Sequence, residues 1–271
     1  MDKIGLIAGY GKLPLIWAQQ AEKNDVKVHA FPVSEEYSID LKDHTYTTDY
    51  ISLTQLDKLI EKIKKYGIDK IIMLGKVNKK NFYEKNNFDQ RFIKIFKNSD
   101  NLEDHSILNK LVEEFNKEGI EVLDQDIFLD ELFTDSGQIN NVKPDELLFA
   151  DMKYAFKKAK EIANLEIGQT VLTKDKAVIA VEALEGTDQT IQRTGSLVKE
   201  GAVMAKVSRK NHDFRFDIPT IGIDTIRNLI AINAAGLVLE SNKILIIDRE
   251  KIKKLADEAN LSIISISLEE V

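Results

Sequence analysis

The first half of the chain alternates short apolar segments with amphipathic segments, and this alternation limits the possible folds more than any other feature. Strand patterns occupy residues 3–8, 26–31, 69–74 and 121–123, and helix patterns lie between them at residues 15–24, 53–66 and 106–118. One face of the second helix pattern is apolar, with the spacing of an α-helix, at Leu56, Leu59, Ile60 and Ile63. Repeated strand–helix–strand patterns predict a mainly parallel sheet covered by helices.

A polar, turn-rich segment at residues 134–146 separates this half from a second half of different character. The second half starts with a helix pattern, continues with β-rich segments and ends in a strand–helix–strand pattern. We therefore predict an α/β protein of two domains. A Rossmann-like N-terminal domain would occupy residues 1–133, and a catalytic C-terminal α/β (α+β) domain would occupy residues 147–271. Residues 134–146 would form the linker.

The composition excludes several classes of site. The 271 residues include no cysteine, which excludes a disulfide framework, a zinc–thiolate site and a cysteine nucleophile. The four histidines are scattered, so a bound metal would take mostly oxygen ligands, which favours magnesium, manganese or calcium. The net charge of −7 argues against general nucleic-acid binding. Because no signal-peptide pattern and no membrane-spanning run is visible, we expect a cytoplasmic protein.

A glycine-rich turn follows the first strand pattern and leads into the first helix pattern. It runs from Gly9 through Gly11 and Lys12 to Pro14. Free backbone N–H groups and the dipole of the following helix suit a phosphate at such a turn. Pro14 replaces the third glycine of a dinucleotide fingerprint, and no acidic residue closes the second strand, which argues against NAD. The alternative is a tight turn without a ligand.

The third strand pattern ends in the sequence LGKVN, which places small and polar residues where open α/β sheets bind ligands. Gly75 permits close backbone approach, and Lys76 and Asn78 have side chains that bind phosphate or sugar hydroxyls. The alternative for this segment is a solvated loop.

Three carboxylates follow an apolar strand pattern within seven residues, at Glu182, Glu185 and Asp188. Clustered carboxylates repel one another and need a counter-charge, which a divalent cation or Arg193 would supply. The alternative is a polar hairpin loop with a Gly-Thr-Asp turn.

A basic stretch at residues 199–215 supplies positive charge for a polyphosphate substrate, and Lys206 is expected to point inward because it follows an apolar strand pattern. Asp217 lies just beyond, on a segment bounded by Pro219 and Gly222. A carboxylate on such a rigid segment suits a metal ligand or a base that orients water. The alternative is a structural turn in which Asp217 pairs with Arg215.

Together these segments resemble one family. The motifs are AGYGKLP, LGKVN, IGQTVL, VEALEGTDQTIQR and FRFDIPTIGIDTI, and they are similar to those of the LpxI-type UDP-2,3-diacylglucosamine pyrophosphatases over residues 4–268. The resemblance implies hydrolysis of UDP-2,3-diacylglucosamine to UMP and 2,3-diacylglucosamine 1-phosphate (lipid X) in lipid A biosynthesis. It also implies two domains with the lipid between them, dependence on magnesium or another divalent cation such as manganese, and an essential aspartate at Asp217.

The resulting hypothesis assigns a role to each residue. Asp217, Glu185 and Asp188 would be catalytic, and Asp217, Glu182 and Asp188 would bind the metal. The expected substrate-binding residues are Gly9, Gly11, Lys12, Gly75, Lys76, Asn78, Gln169, Thr187, Arg193, Lys206 and Thr220. The metal would bridge the pyrophosphate while water attacks the phosphorus on the UMP side.

The substrate and the resemblance also carry expectations about partners. We expect UDP-2,3-diacylglucosamine and lipid X as ligands, no nucleic acid, transient peripheral contact with the inner membrane surface, and a homodimer. A non-catalytic nucleotide or nucleotide-sugar sensor is the alternative function, and the dense carboxylates favour the hydrolase over it. A nicotinamide-dependent oxidoreductase is disfavoured because the ribose-binding acid is missing.

Overall fold

The structure, a computed structural model, describes residues 2–34, 40–76, 88–97, 104–210, 213–216 and 218–270. The chain divides into two compact units. The first unit contains residues 1–129 and 213–217, and the second contains residues 130–212 and 218–271. Strands and helices are interleaved in both units, so the prediction of an α/β fold is confirmed.

The elements of the first unit follow the predicted order. They are β1 (Lys3–Ala8), α1 (Leu13–Lys23), β2 (Lys27–Pro32), β3 (Thr47–Thr48), α2 (Leu56–Lys65), β4 (Lys70–Leu74), α3 (Gln90–Lys97), α4 (Asp104–Lys117) and β5 (Glu121–Val122). The strands form one sheet in the order β3-β2-β1-β4-β5, and every neighbouring pair is parallel. The strand order reverses between β1 and β4, so the carboxyl ends of these two strands form the topological switch point of a Rossmann-like sheet.

Helix α2 shows how the sequence pattern produces the core of the first unit. Its four apolar residues Leu56, Leu59, Ile60 and Ile63 are all buried and belong to one hydrophobic cluster with Phe31, Ile71 and Phe115. The helix ends before Gly67, whose φ of +64° is a left-handed conformation that glycine adopts readily.

Residues 213–216 return to the first unit from the middle of the second half of the sequence. The backbone N–H of Gln125 donates to the carbonyl of Phe214, and its side-chain amide donates to the carbonyl of Phe216 at 3.0 Å. The ring of Phe216 is buried in the core of the first unit. Two hydrogen bonds and a buried aromatic ring therefore fasten this short segment to the first unit.

The second unit contains a larger, mixed sheet. Its elements are β6 (Gly137–Gln138), α5 (Glu146–Asn164), β7 (Thr170–Lys174), β8 (Ala177–Val181), α6 (Thr187–Leu197), β9 (Val203–Lys206), β10 (Thr220–Ile221), α7 (Ile223–Ala231), β11 (Gly236–Glu240), β12 (Leu245–Ile246), α8 (Arg249–Glu258) and β13 (Ser262–Ile266). The main sheet has the order β6-β13-β11-β9-β7-β8, and β10 pairs separately with β12. Strands β9, β11 and β13 are parallel, whereas β6, β7 and β8 pair antiparallel with their neighbours.

Helices cover both faces of this sheet. One hydrophobic cluster joins the sheet to α5 through buried side chains such as Met152 and Phe156, and the other joins it to α6, α7 and α8 through side chains such as Ile191, Leu229 and Ile252. Burial of one such side chain contributes ~1.5–3 kcal/mol to folding. Strand β11 lies between β9 and β13 and is buried along its whole length, as expected for a strand covered on both faces.

The segment that was expected to form a linker lies within the second unit. Residues Gly137 and Gln138 pair with β13 as an edge strand. The side-chain amide of Asn140 donates to Asp257 at 2.8 Å and to the carbonyl of Leu261 at 3.0 Å. The polar residues that suggest a linker in the sequence therefore bind to neighbouring elements, and the boundary between the units falls between residues 129 and 130.

A helix that crosses a membrane needs about 20 predominantly apolar residues. No helix among the residues described above is long and apolar enough to cross a membrane.

Candidate active site

The glycine residues after β1 and β4 meet at the switch point of the first sheet. The backbones of Tyr10 and Lys76 form an antiparallel bridge, with N–H to carbonyl distances of 2.7 and 2.8 Å. A Cβ atom on Gly9 would lie 2.5 Å from the carbonyl oxygen of Lys76, and one on Gly75 would lie 2.8 Å from the backbone of Gly9. The close backbone approach that Gly75 was expected to offer a ligand is thus made to Gly9.

Gly11 remains open at the same turn. A Cβ atom there would meet no atom within 4 Å, and its φ of +113° favours glycine. A pocket of about 270 Å³ lies beside it, lined by Gly9, Tyr10, Gly11, Lys12, Pro14, Leu15, Asp40 and Leu41. Lys12 occupies the N-cap position of α1 and its side chain makes no capping hydrogen bond. The turn therefore presents a helix N-terminus to a pocket, an arrangement that suits an anion.

Lys206 is the central residue of a polar cluster in the second unit. It is the last residue of β9, and its side chain is buried with 5% relative exposure, as its position after an apolar strand pattern predicted. The ammonium donates to the hydroxyl of Thr187 at 2.9 Å and to that of Thr170 at 3.3 Å. In the described part of the chain no carboxylate lies within ion-pair distance of it. An ammonium buried without a counter-charge is costly, so this position suits an anionic ligand.

The cluster extends from Lys206 to Glu182 through a hydroxyl. Thr187 is the first residue of α6, and its Oγ1 donates to Glu182 Oε1 at 2.7 Å. The second oxygen of Glu182, Oε2, is buried and has no hydrogen-bond partner within the described residues. Lys206, Thr187 and Glu182 thus form one hydrogen-bonded chain at the carboxyl end of β9.

A buried ion pair fixes the backbone directly after Lys206. Lys160 of α5 binds both carboxylate oxygens of Glu240, at 2.8 and 3.0 Å, and also donates to the carbonyl of Ser208. Glu240 accepts from the N–H of Ser208 at 2.7 Å. Because the charges are paired and hydrogen-bonded, they can hold the turn after β9 in one conformation.

The three clustered carboxylates do not converge. Glu185 pairs with Arg193 at 2.7 Å, and Asp188 accepts from Asn228 at 2.9 Å. A hydrogen bond from its own backbone N–H, followed by the bond from Arg193, lowers the pKa of the Glu185 carboxyl below its ordinary value. Arg193, on α6, also donates to the carbonyl of Val181, the last residue of β8, so its guanidinium binds the segment that joins β8 to α6.

The alternative interpretation of this segment, a polar hairpin loop, is wrong, because strand β8 is followed by helix α6. Gly186 has a φ of +80° and stands directly before α6, so the glycine turns the chain from β8 into the helix. On α6, residues 187 and 188 differ by about 100° around the helix axis, which separates the Thr187 and Asp188 side chains. Glu182 therefore binds Thr187 while Asp188 binds elsewhere.

The described carboxylates by themselves do not fit a metal site. Across the described ranges, no group of three or more His, Asp or Glu residues is placed to hold one metal ion. Glu182, Glu185 and Asp188 each bind a different protein group. The assignment of Glu182 and Asp188 as joint ligands remains a prediction, and Asp217, the third member, lies outside the described residues together with Asn78.

Two further predicted residues lie at the ends of strands. Gln169 is buried just before β7, its carbonyl accepts from Val207, and its side-chain nitrogen has no partner in the described part of the molecule. Thr220 begins β10, and its hydroxyl donates to the carbonyl of Ile218 at 2.8 Å.

Thr170 is the member of the Lys206 cluster that the sequence did not indicate. It is fully buried and pairs with Lys206 in the register of β7 and β9, which places both side chains on one face of the sheet. The hydroxyl lies directly after Gln169 in the IGQTVL motif, but only the strand register shows that it faces Lys206.

Two solved structures to which the chain is similar are distant from it. N5-carboxyaminoimidazole ribonucleotide synthetase from Thermotoga maritima matches 68% of this chain and 42% of its own chain, with 15% identity and a TM-score of 0.28. The biotin carboxylase domain of the Hydrogenobacter thermophilus 2-oxoglutarate carboxylase matches 72% and 40%, with 12% identity and a TM-score of 0.29. The chain spans less than half of each of these proteins, and scores this low establish no relationship.

Comparison by sequence is far more specific. The chain is 29% identical to the UDP-2,3-diacylglucosamine pyrophosphatase LpxI of Caulobacter vibrioides over 282 aligned positions, which cover 100% of this chain and 99% of that protein. The model of the LpxI N-terminal domain matches residues 3–132, and the model of the LpxI C-terminal domain matches residues 135–264. Two adjacent domain models thus cover nearly the whole chain in the expected order, and the resemblance noted in its motifs is confirmed. The chain belongs to the LpxI family.

Proposed function

We propose that this protein is a UDP-2,3-diacylglucosamine pyrophosphatase that forms UMP and 2,3-diacylglucosamine 1-phosphate for lipid A biosynthesis. The full-length similarity to the Caulobacter vibrioides pyrophosphatase carries the proposal, because the alignment includes both domains and leaves no large part of either chain unmatched.

The geometry of the second unit supports a phosphate ligand. Lys206 is buried at the carboxyl end of a parallel strand, and two hydroxyl groups accept two of its three N–H donors. Among the described residues nothing accepts the third donor, which would bind a phosphate oxygen, and a charge-assisted hydrogen bond of this kind is about twice as strong as a neutral one. In a site with little water, the ammonium would stabilise the charge that develops on the pyrophosphate.

The proposed reaction is a hydrolysis at one phosphorus atom. The oxygen of water forms a bond to the phosphorus on the UMP side, and the bond between that phosphorus and the bridging oxygen breaks. The bridging oxygen leaves with lipid X, and the proton from water passes to a base. Asp217 is proposed as the group that orients the water or binds the metal, on the basis of the family motif alone.

A divalent cation, magnesium or manganese, is proposed as the cofactor. It would offset the negative charge of the two phosphate groups. The described carboxylates do not by themselves form its site, and Asp217 is proposed among its ligands on the basis of the family motif. Contact with the inner membrane surface and a homodimer also remain proposals, motivated by the lipid substrate and by the family resemblance.

Oxygen-isotope labelling tests the proposed reaction directly. The protein would be incubated with UDP-2,3-diacylglucosamine and magnesium in ¹⁸O-water, and the products would be followed by ³¹P NMR. We expect the label in UMP and none in lipid X. Label in lipid X would contradict attack on the UMP side. Binding without cleavage, under several divalent cations, would favour the nucleotide-sugar sensor.

The variant Asp217→Asn tests the assigned base or metal ligand. We expect hydrolysis to fall by at least about 100-fold while the protein stays folded. Unchanged turnover in a folded variant would remove Asp217 from the proposed mechanism.

A further inference from the structure

Thr187, which is partly buried, differs from the two buried threonines of helix α6, because its hydroxyl does not donate to a carbonyl of the helix. Thr190 and Thr194 donate to carbonyls one turn earlier, those of Gly186 and Thr190, at 2.9 Å each, and the Thr190 hydroxyl has a longer contact of 3.3 Å with Glu185 Oε1. Donation to such a carbonyl is the ordinary behaviour of threonine inside a helix. Thr187 stands at the first helical position and has no preceding helical carbonyl, so its hydroxyl turns to Lys206 and Glu182.

The donors and acceptors of Lys206, Thr187 and Glu182 fix the direction of the two hydrogen bonds that join them. An ammonium has three donors and no acceptor, so the Thr187 oxygen must accept from Lys206. A hydroxyl has one proton, and Thr187 therefore directs that proton to Glu182 Oε1. The carboxylate orients the hydroxyl, and the hydroxyl in turn orients the ammonium.

The hydrogen bonds through Thr187 also keep the positive charge of Lys206 apart from the negative charge of Glu182. Glu182 acts on Lys206 through the hydroxyl, and no direct ion pair joins them in the described residues. A direct pair would engage the ammonium in neutralising a protein carboxylate. With a hydroxyl between them, the charge of Lys206 remains available to an anionic ligand, while the position of Nζ is fixed from two sides by Thr170 and Thr187.

We propose that Glu182 is a positioning residue, which acts through Thr187 to fix the ammonium of Lys206 against a phosphate group of the substrate. The inference rests on the proposed pyrophosphatase function and deepens it. It gives Glu182 a role other than the direct metal ligation expected from the sequence, and it makes the Thr187 hydroxyl necessary for that role.

Four variants separate this role from a structural one. Thr187→Val keeps the shape of the side chain and removes the hydroxyl, and Thr187→Ser keeps the hydroxyl. Glu182→Gln removes the charge, and the double variant Thr187→Val/Glu182→Gln completes a thermodynamic cycle. Thr194→Val is the matched control, because it removes a buried hydroxyl from the same helix that binds only helix backbone. Thr187→Ala replaces Thr187→Val if the latter does not fold.

Two measurements would be made on each variant. The first is the steady-state kinetics of UDP-2,3-diacylglucosamine hydrolysis, with kcat and KM determined separately. The second is the binding of inorganic pyrophosphate by calorimetry, which does not depend on turnover. We expect Thr187→Val to weaken pyrophosphate binding and to lower kcat/KM by about tenfold to 100-fold. Thr187→Ser should stay within about threefold of the original protein, and so should Thr194→Val.

The double variant decides whether Glu182 acts through Thr187. We expect it to be no worse than Thr187→Val alone, because loss of the hydroxyl already breaks the hydrogen-bonded path by which the carboxylate positions Lys206. Independent, additive losses would overturn the proposal, as would normal pyrophosphate binding in either Thr187→Val or Glu182→Gln. No pyrophosphate binding by the original protein would overturn it too. If the binding pattern holds but the original protein does not hydrolyse the lipid substrate, the proposed function fails and the positioning role stands.

Discussion

The ammonium of Lys206 lies 2.9 Å from the hydroxyl of Thr187, and this hydroxyl stands between it and the carboxylate of Glu182. A lysine held in this way is a cost to the folded state, since burial disfavours a charge that no carboxylate of the described ranges neutralises directly. Proteins keep such arrangements where binding or catalysis requires them. We therefore expect that removing the charge of Lys206 lowers the activity without lowering the stability of the fold.

Lys206→Met tests this opposition. The substitution preserves the side chain as far as Cε and removes the ammonium with its charge, so kcat/KM should fall by at least about 100-fold. The free energy of unfolding should stay unchanged or rise by about 1–2 kcal/mol, because a desolvated ammonium is replaced by an apolar group. Steady-state kinetics and urea unfolding measure the two effects. Lys199→Met, which changes an exposed lysine, is the control. Undiminished kcat/KM in Lys206→Met would exclude a phosphate contact at this residue.

Gly9→Ala tests the backbone contact at the switch point of the first unit. The new Cβ would lie 2.5 Å from the carbonyl oxygen of Lys76, and backbone on both sides leaves little freedom to move. We expect a loss of about 1–3 kcal/mol in the free energy of unfolding, measured by urea denaturation. Gly11→Ala provides a comparison, because its cost comes only from the φ of +113°. A Gly9→Ala protein as stable as the original would contradict the close approach of the two turns.

Glu118→Gln tests an electrostatic contact in the first unit through its pH dependence. Hydrogen bonds from Lys64 and then from Arg91 lower the pKa of Glu118 from its ordinary 4.5 to about 2. A lowered pKa stabilises the fold above the unfolded pKa, and this stabilisation is lost as the pH falls from about 4.5 towards 2. The original protein should therefore have a higher Tm than the variant at pH 7, and the difference should shrink between pH 4.5 and 3.

An exposed residue of α4, the helix that ends directly before Glu118, supplies the control for this pH series. Glu113→Gln changes a carboxylate that lies on α4 with its side chain in solvent. A Tm difference for Glu118→Gln that is constant with pH, or no larger than that of Glu113→Gln, would show that the contact contributes nothing measurable.

We expect hydrolysis to depend on a divalent cation. Treatment with a chelator should abolish hydrolysis, and magnesium or manganese should restore it. Since Glu185 is paired with Arg193, Glu185→Gln should leave the metal concentration required for half-maximal rate nearly unchanged, whereas Asp217→Asn should raise it. Full activity in the presence of chelator would exclude metal assistance, and an equal effect of both variants would show that Glu185 is also a ligand.

The elements with strong periodicity could be predicted from the sequence. The four apolar residues of α2 and the apolar strands β1 and β4 depend on local spacing, and the structure has them within a few residues of the expected bounds. Strand β11 could not be located in the same way. It is part of the apolar stretch 229–239, which also contains the end of α7, and a short apolar run does not distinguish a strand from a helix.

The candidate site was predictable only in part, because spacing along the chain says little about convergence in space. The inward orientation of Lys206 followed from its place after an apolar strand. The partners of Lys206 depend on strand register and on the start of α6, which place Thr170 and Thr187 beside it. The same helix start directs Glu182 and Asp188 to different partners, although they are six positions apart in one motif.

The return of residues 213–217 to the first unit has a consequence for protein synthesis. The ribosome completes residues 1–129 long before it reaches Phe216, whose ring is buried in the core of that unit. At ~5–20 residues per second, the delay is roughly 4 to 18 s. Throughout that interval the nascent first unit lacks one of its own core side chains and exposes the position to water. The core of the first unit is thus completed only after much of the second half of the chain has been translated. A gene divided between residues 129 and 130 would encode a first unit that lacks Phe216 in its core.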